Sequence, residues 1–162
     1  MKNIKTVLKL LTIISIIFLI IGLLTGCGNK EKAEKAEYEE PIKNMFDGMT
    51  SANLDTYMKA FPDFINYEIT QEELTKMMNV YTTMYGQDVK ISYEIEKSER
   101  LTSTKLAEVT ENIKTYYDYD CTITKGYRLT IKRTAKGSLD ENSSSIDANV
   151  YKIDGKWYTI SF

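Results

Sequence analysis

Apolar residues change their spacing several times along this chain, and the order of those changes limits the folds open to it. Ile42, Met45, Phe46 and Met49 recur at i, i+3, i+4 and i+7, the stripe of an amphipathic helix, with Pro41 suited to a first helical position. Leu54, Tyr57, Met58 and Phe61 repeat the stripe behind the cap candidates Ser51 to Asn53, and Pro62 closes the segment. Thr70 to Glu73 reads as a capping box, opening a third helix that carries Leu74, Met77, Met78, Tyr81 and Tyr85 on one face and stops at Gly86. The period then drops to two: Val89, Ile91, Tyr93 and Ile95 alternate with polar residues, which predicts a strand with one buried face. Helical spacing returns at Leu106, Val109, Ile113 and Tyr116 or Tyr117, behind Thr102 to Thr104.

Everything beyond is strand. Tyr127, Leu129 and Ile131 oppose Arg128, Thr130 and Lys132, and Gly126 marks a bulge or a break. The stretch 137–145, GSLDENSSS, reads as a polar loop. Asp154-Gly155, between Ile146–Ile153 and Trp157–Phe162, is the strongest hairpin signal in the chain, and Trp157 is expected to face inward. Three helices, a strand, a helix and a strand meander make an α+β fold, with helices packed on one face of a curved antiparallel sheet.

The N-terminus is of a different kind. Lys2, Lys5 and Lys9 precede an apolar run from Leu10 to Leu24, shorter than the ~20 residues of a membrane-spanning helix and suited to a signal-peptide core. The run ends in Leu24-Thr25-Gly26-Cys27, which resembles a bacterial lipobox. That resemblance implies a signal peptide over residues 1–26, cleaved ahead of Cys27, and a diacylglycerol on the Cys27 thiol. It places the protein on the outer side of the cytoplasmic membrane, with the membrane itself as first partner. The competing reading is an uncleaved anchor in which Cys27 is incidental. Two buried acyl chains make a firm attachment, at ~0.8 kcal/mol per methylene.

Cleavage would remove three of the 21 basic residues and none of the 23 acidic ones, leaving 18 against 23. Residues 27–40 alternate Lys and Glu and read as a tether, either a coil or a charged helix paired at Lys30–Glu34 and Glu31–Lys35. Residues 41–162 suffice for one domain. With Cys27 acylated, Cys121 is the only thiol left, so this domain is held by its core and not by a disulfide.

Element order, the strand TKGYRLTIKR (124–133) and the ending VYKIDGKWYTISF (150–162) are similar to small bacterial lipoproteins of the nuclear-transport-factor-two-like fold, over about residues 41–162. A cystatin-like arrangement is a close variant. The resemblance implies a sheet wrapped around helices as a cone with an apolar mouth. Members include ketosteroid isomerases and dehydratases beside non-catalytic binding modules, and fold alone does not choose between them.

The residues narrow the choice. The chain has no histidine, the commonest general base and metal ligand. Cys121 lacks a histidine partner and shares its parity with Tyr119 and Ile123, which suits a buried structural thiol. Asp118 and Asp120 on one strand face would touch a cation, but calcium wants six or more oxygens. Six of the seven methionines fall in helical segments, where core filling explains them better than metal ligation. There is no phosphate loop and no nucleophile elbow, and the acidic balance argues against nucleic acid. No catalytic residue, metal site or cofactor is assigned.

The expectation is a non-enzymatic binding module for a small ligand or a cell-envelope partner. The alternative is a small enzyme of the ketosteroid-isomerase or dehydratase kind using Asp and Tyr alone. If the sheet closes as the resemblance implies, Tyr57, Tyr81, Tyr93 and Trp157 line a pocket. It would suit a neutral or weakly polar small molecule, with no Arg or Lys on the inward parities. Tyr116, Tyr117 and Tyr119, clustered with two aspartates, form either an exposed contact patch for sugars or peptides or ordinary half-buried packing. The anchor has a direct test. Cys27→Ala should abolish metabolic labelling with palmitate and leave an unprocessed precursor; undiminished label would sink the assignment.

Overall fold

In a computed structural model, residues 32–65 and 69–160 are described. The expected signal peptide 1–26 and the acceptor Cys27 lie outside them. Among the described residues, no helix is long and apolar enough to cross a membrane. The chain divides into two units, and the larger runs from Tyr38 to Phe162. Residues 32–37, in the other unit, are helical and mostly exposed.

The ring of Tyr38, at the start of this larger unit, is already core, only 6% exposed. Within this unit helix α1 covers 38–50, continuing the helical run of 32–37, so Pro41 follows helical residues and is not the first of them. Helix α2 (Leu54–Met58) is capped by Asn53, whose side chain accepts from the Thr56 amide at 2.9 Å. Helix α3 (Gln71–Tyr85) opens with the capping box that the sequence announces. Thr70 Oγ1 accepts from the Glu73 amide, and the Glu73 carboxylate accepts from the Thr70 amide. The bonds that the Thr70 amide and hydroxyl donate to the Glu73 carboxylate hold that carboxyl below its ordinary pKa.

Strand β1 (Lys90–Arg100) leads into helix α4 (Ser103–Tyr117), capped by Thr102, and then come β2 (Ile123–Lys136), β3 (Glu141–Ile153) and β4 (Lys156–Thr159). The four strands form one antiparallel sheet in the order β1-β2-β3-β4. Register shifts at Glu96 and Thr124 interrupt β1 and β2, and such bulges bend and twist a strand.

The α+β class is as expected, and the two faces of the sheet carry different loads. Tyr127, Leu129 and Ile131 of β2 and Val150 of β3 pack with Ile42 and Phe46 of α1 and Leu74 of α3 in a first core. Ile42, Leu74, Leu129, Ile131 and Val150 are wholly buried, each contributing roughly 1.5–3 kcal/mol of apolar transfer. Residues of the opposite parity, Tyr151 and Ile153, meet Val109 and Ile113 of α4, with Ile65 and Ile160, in a second core. Thus α4 does not join the first three helices. Gly126 makes this approach feasible while remaining within β2: a Cβ there would lie 2.9 Å from a Leu106 methyl and 3.0 Å from Leu101 and Tyr151.

Two segments depart from expectation. Most of 137–145 is strand: Ser143, Ser144 and Ser145 pair with Thr134, Arg133 and Lys132. A long neighbour supplies a full ladder of backbone partners, and that outweighs a composition poor in strand formers. Residues 118–122 are not strand. Asp118 is the left-handed cap of α4 (φ 50°), and Asp120 pairs with Lys114 at 2.7 Å, so the two aspartates share no strand face. Thr70→Ala should cost about 1 kcal/mol and lower the melting temperature by a few degrees. A melt that does not move would show that the cap contributes nothing to stability.

Candidate functional site

Tyr57, Tyr81, Tyr93 and Trp157 all pack against the first core, but are spread along it: Tyr81 bonds to Arg133 near the end of β2, whereas Trp157 pairs with Lys152, opposite the start of β2. Phe46 covers Tyr93 (ring centroids 4.6 Å apart), and Tyr38 meets Trp157 edge-on at 5.9 Å. Tyr57 tilts against Phe61 at 5.2 Å. Burial raises the pKa of both Tyr57 and Tyr93 above that of an ordinary phenol. The expectation of no cation on this wall fails. β2 is longer than the alternation suggested, so Arg133 continues the parity of Leu129 and Ile131. Its guanidinium donates to the Tyr81 hydroxyl at 2.7 Å and lies 5.7 Å from that ring. Across the sheet, Lys152 Nζ sits 5.8 Å from the Trp157 ring.

A second, open site lies where three chain segments meet. A cleft of about 300 Å³ is lined by Pro62, Asp63 and Phe64 after α2, by Tyr119 after α4, and by Ile153, Asp154, Lys156 and Tyr158 of the β3–β4 hairpin. Local chemistry places each part. Asp154 and Gly155 both have positive φ (48° and 88°), as a two-residue hairpin turn of the primed kind requires. The left-handed cap at Asp118 ends α4 and turns the chain toward the hairpin. The Thr159 amide donates to the Ala60 carbonyl at 2.8 Å, which ties β4 to the end of α2 and sets residues 62–64 beside it.

Asp154 then acts as a clasp. Its backbone amide donates to the Thr122 carbonyl (3.0 Å), and the Thr122 amide returns a bond to Asp154 Oδ1 (2.9 Å). The remaining oxygen, Oδ2, accepts from the Tyr119 hydroxyl at 3.2 Å. Held by that bond, the Tyr119 ring lies flat on Phe64, with centroids 4.3 Å apart and planes 15° apart. Phe64 in turn meets Tyr117 at 5.9 Å. The hydrogen bond to Asp154 raises the Tyr119 phenol above its usual pKa, and burial with the charges of Asp63 and Asp154 raises Tyr158.

Of the tyrosine cluster, only Tyr119 therefore lines the cleft; Tyr117 is half-buried beneath Phe64, and Tyr116 is 71% exposed. Cys121 is half-buried against the second core, with its thiol pushed up by desolvation. Sequence reasoning missed Pro62, Asp63, Phe64, Ile153, Asp154, Lys156 and Tyr158 as site residues. The Asp154-Gly155 turn was legible, but nothing local says that Phe64 lies beside it.

A smaller groove of about 260 Å³ runs between α4 and β3, lined by Lys105, Glu108, Val109, Asn112, Asn149, Tyr151 and Ile160. There Glu108 pairs with Lys105 at 2.6 Å, and burial pushes the Tyr151 phenol up to about 12. Among the described residues, no group of three or more metal-ligating side chains converges.

No family model matches this chain, and no curated protein matches it. Among solved structures it is similar to an NTF-2-like protein of unknown function from Shewanella oneidensis MR-1. Identity is 13% over 78% of this chain and 93% of that one, with a TM-score of 0.43. The α+β order described above rests on the helices and strands themselves.

The clasp makes a prediction. Asp154→Asn preserves the left-handed turn but removes the charge facing the phenol. The Tyr119 pKa should fall toward the ordinary value of about 10, as followed by tyrosine ring resonances in an alkaline titration. An unmoved pKa would show that Asp154 does not hold Tyr119.

Proposed function

We propose that this protein is a lipid-anchored, non-enzymatic binding module on the outer side of the cytoplasmic membrane, and that the cleft around Tyr119 receives its ligand or cell-envelope partner. The observation that carries the reading is an open cleft with an apolar floor and charged groups left over at its rim. Pro62, Phe64, Ile153 and Tyr158 give the floor. Asp63 and Lys156 make no ion pair with the described residues. A concave apolar surface with a few convergent polar groups is the usual form of a binding site. The resemblance of Leu24–Cys27 to a lipobox supports the anchor, and a tethered domain needs no more than a binding surface to act at the envelope.

An enzyme working with Asp and Tyr alone would need a carboxylate free to move a proton beside a phenol in a dry pocket. Asp154 is close to Tyr119, but both its oxygens already accept hydrogen bonds within the protein, at an exposed rim. Glu108, near Tyr151, is ion-paired and exposed. Structural use of Asp154 and Glu108, and the exposure of Asp63, the carboxylate whose charge acts most on Tyr158, favour binding over catalysis in a dry pocket.

The test is a two-dimensional NMR titration of the soluble chain with envelope and lipid extracts. Shifts at Phe64, Tyr119, Lys156 and Tyr158 are expected. Shifts confined to Tyr57, Tyr81, Tyr93 and Trp157 would move the site to the inner wall, and none at any of these positions would overturn the reading.

A further inference from the structure

We infer that the cleft is a saccharide site, with Tyr119 as the platform on which a pyranose ring stacks. This rests on the reading of the cleft as the binding site and adds the class of ligand. The first ground is the aromatic geometry. One face of Tyr119 is covered by Phe64, whereas the side chain as a whole stays 37% exposed and lines the cleft. A large aromatic ring held rigid by a stack and by a hydroxyl–carboxylate bond loses little freedom on binding. The C–H face of a sugar is apolar and matches the electron-rich face of such a ring.

The second ground is the rim. A pyranose carries hydroxyls around its edge, each both donor and acceptor, and needs polar groups of both kinds beside the platform. Asp63 supplies an acceptor, Lys156 a donor, and the Tyr158 hydroxyl either one. The balance of charge excludes competitors. Asp63 and Asp154 outnumber Lys156, which disfavours phosphates and other strong anions. Lys156 and the covered face of Tyr119 disfavour a cation caged by aromatic rings. A wholly apolar ligand would strand the rim charges without water. The volume, about 300 Å³, accommodates one or two sugar rings at the low end of ligand-site sizes.

The experiment is saturation-transfer difference NMR on the full lipidated protein in detergent micelles, with the β-1,4 dimer of N-acetylglucosamine as probe and an Ala-Ala dipeptide in parallel. Transfer to the ring C–H protons of the sugar is expected, strongest on one face. Tyr119→Ala should weaken binding about tenfold, the scale of losing an aromatic anchor. Tyr119→Phe, which keeps the stack and loses only the bond to Asp154, should retain most of it. Tyr116→Ala, on an exposed ring outside the cleft, should change nothing. Asp63→Asn, in an exposed connection, should lower affinity severalfold and gives a readout should the alanine variant not fold. Absence of sugar transfer, or transfer that Tyr119→Ala and Asp63→Asn both leave unchanged, would overturn the saccharide assignment. If the dipeptide alone perturbs Tyr119, the cleft stands as a binding site and its ligand is a peptide; if neither probe does, the saccharide class fails and the cleft itself is judged by the extract titration.

Discussion

Burial of β3 on both faces is the constraint from which the rest of this structure follows. Val150 lies in the core beneath α1 and α3, and its neighbour Tyr151, with Ile153 beyond, lies in the core beneath α4. Adjacent positions of one strand thereby join two apolar clusters across a single sheet. Cys121 has no thiol partner among the described residues, so no disulfide supports this arrangement and apolar burial must carry it. Strand residues buried on both faces lose alternation, and the run VYKI shows that loss. Gly126 meets the same demand from the opposite strand, since α4 reaches the sheet only where no side chain stands in its way.

The cleft is a by-product of that two-sided packing, and polar bonds secure it. With α4 on one face and α2 on the other, the connections leaving them converge on the β3–β4 turn. The Ala60–Thr159 bond fixes one connection, and Asp154 fixes the other through Thr122 and Tyr119. Asp154 therefore serves twice: its backbone accepts the left-handed geometry of the turn, and its carboxylate orders an aromatic ring 35 residues away in the sequence. Polar groups that hold each other leave Asp63 and Lys156 as the rim groups open to a ligand. The inner wall is arranged differently. Tyr93 and Trp157 meet rings of α1, Tyr57 tilts against Phe61 and Tyr81 is bonded to Arg133, and these contacts are those of a core.

Much of the architecture was readable from the chain. The capping box at Thr70–Glu73, the cap region before Leu106 and the turn at Asp154-Gly155 each involve residues within a few positions of one another, so their physics is local. The misread stretches are those where a distant partner decides. Ser143–Ser145 are poor strand formers drawn into a ladder by β2, and Asp118 looked like strand because parity was extended past the end of α4. Arg133 lies on the inward side because β2 continues past Ile131 to Lys136, a length that its neighbour strands set and local alternation does not show.

By itself, then, the sequence determined the kind and order of the elements, their caps and turns, the dependence on an apolar core and the resemblance at Leu24–Cys27 to a lipid-attachment signal. These depend on periodicity and on contacts spanning one turn of chain, which a linear string displays. Tertiary structure alone decided that α4 sits on the opposite face from α1, that Tyr119 rather than Tyr116 or Tyr117 reaches a cleft, and that Phe64 lies beneath it. Those outcomes follow from sheet register and from which face of β3 each helix buries. Both are settled by packing between residues far apart in the chain, where no local pattern carries the information.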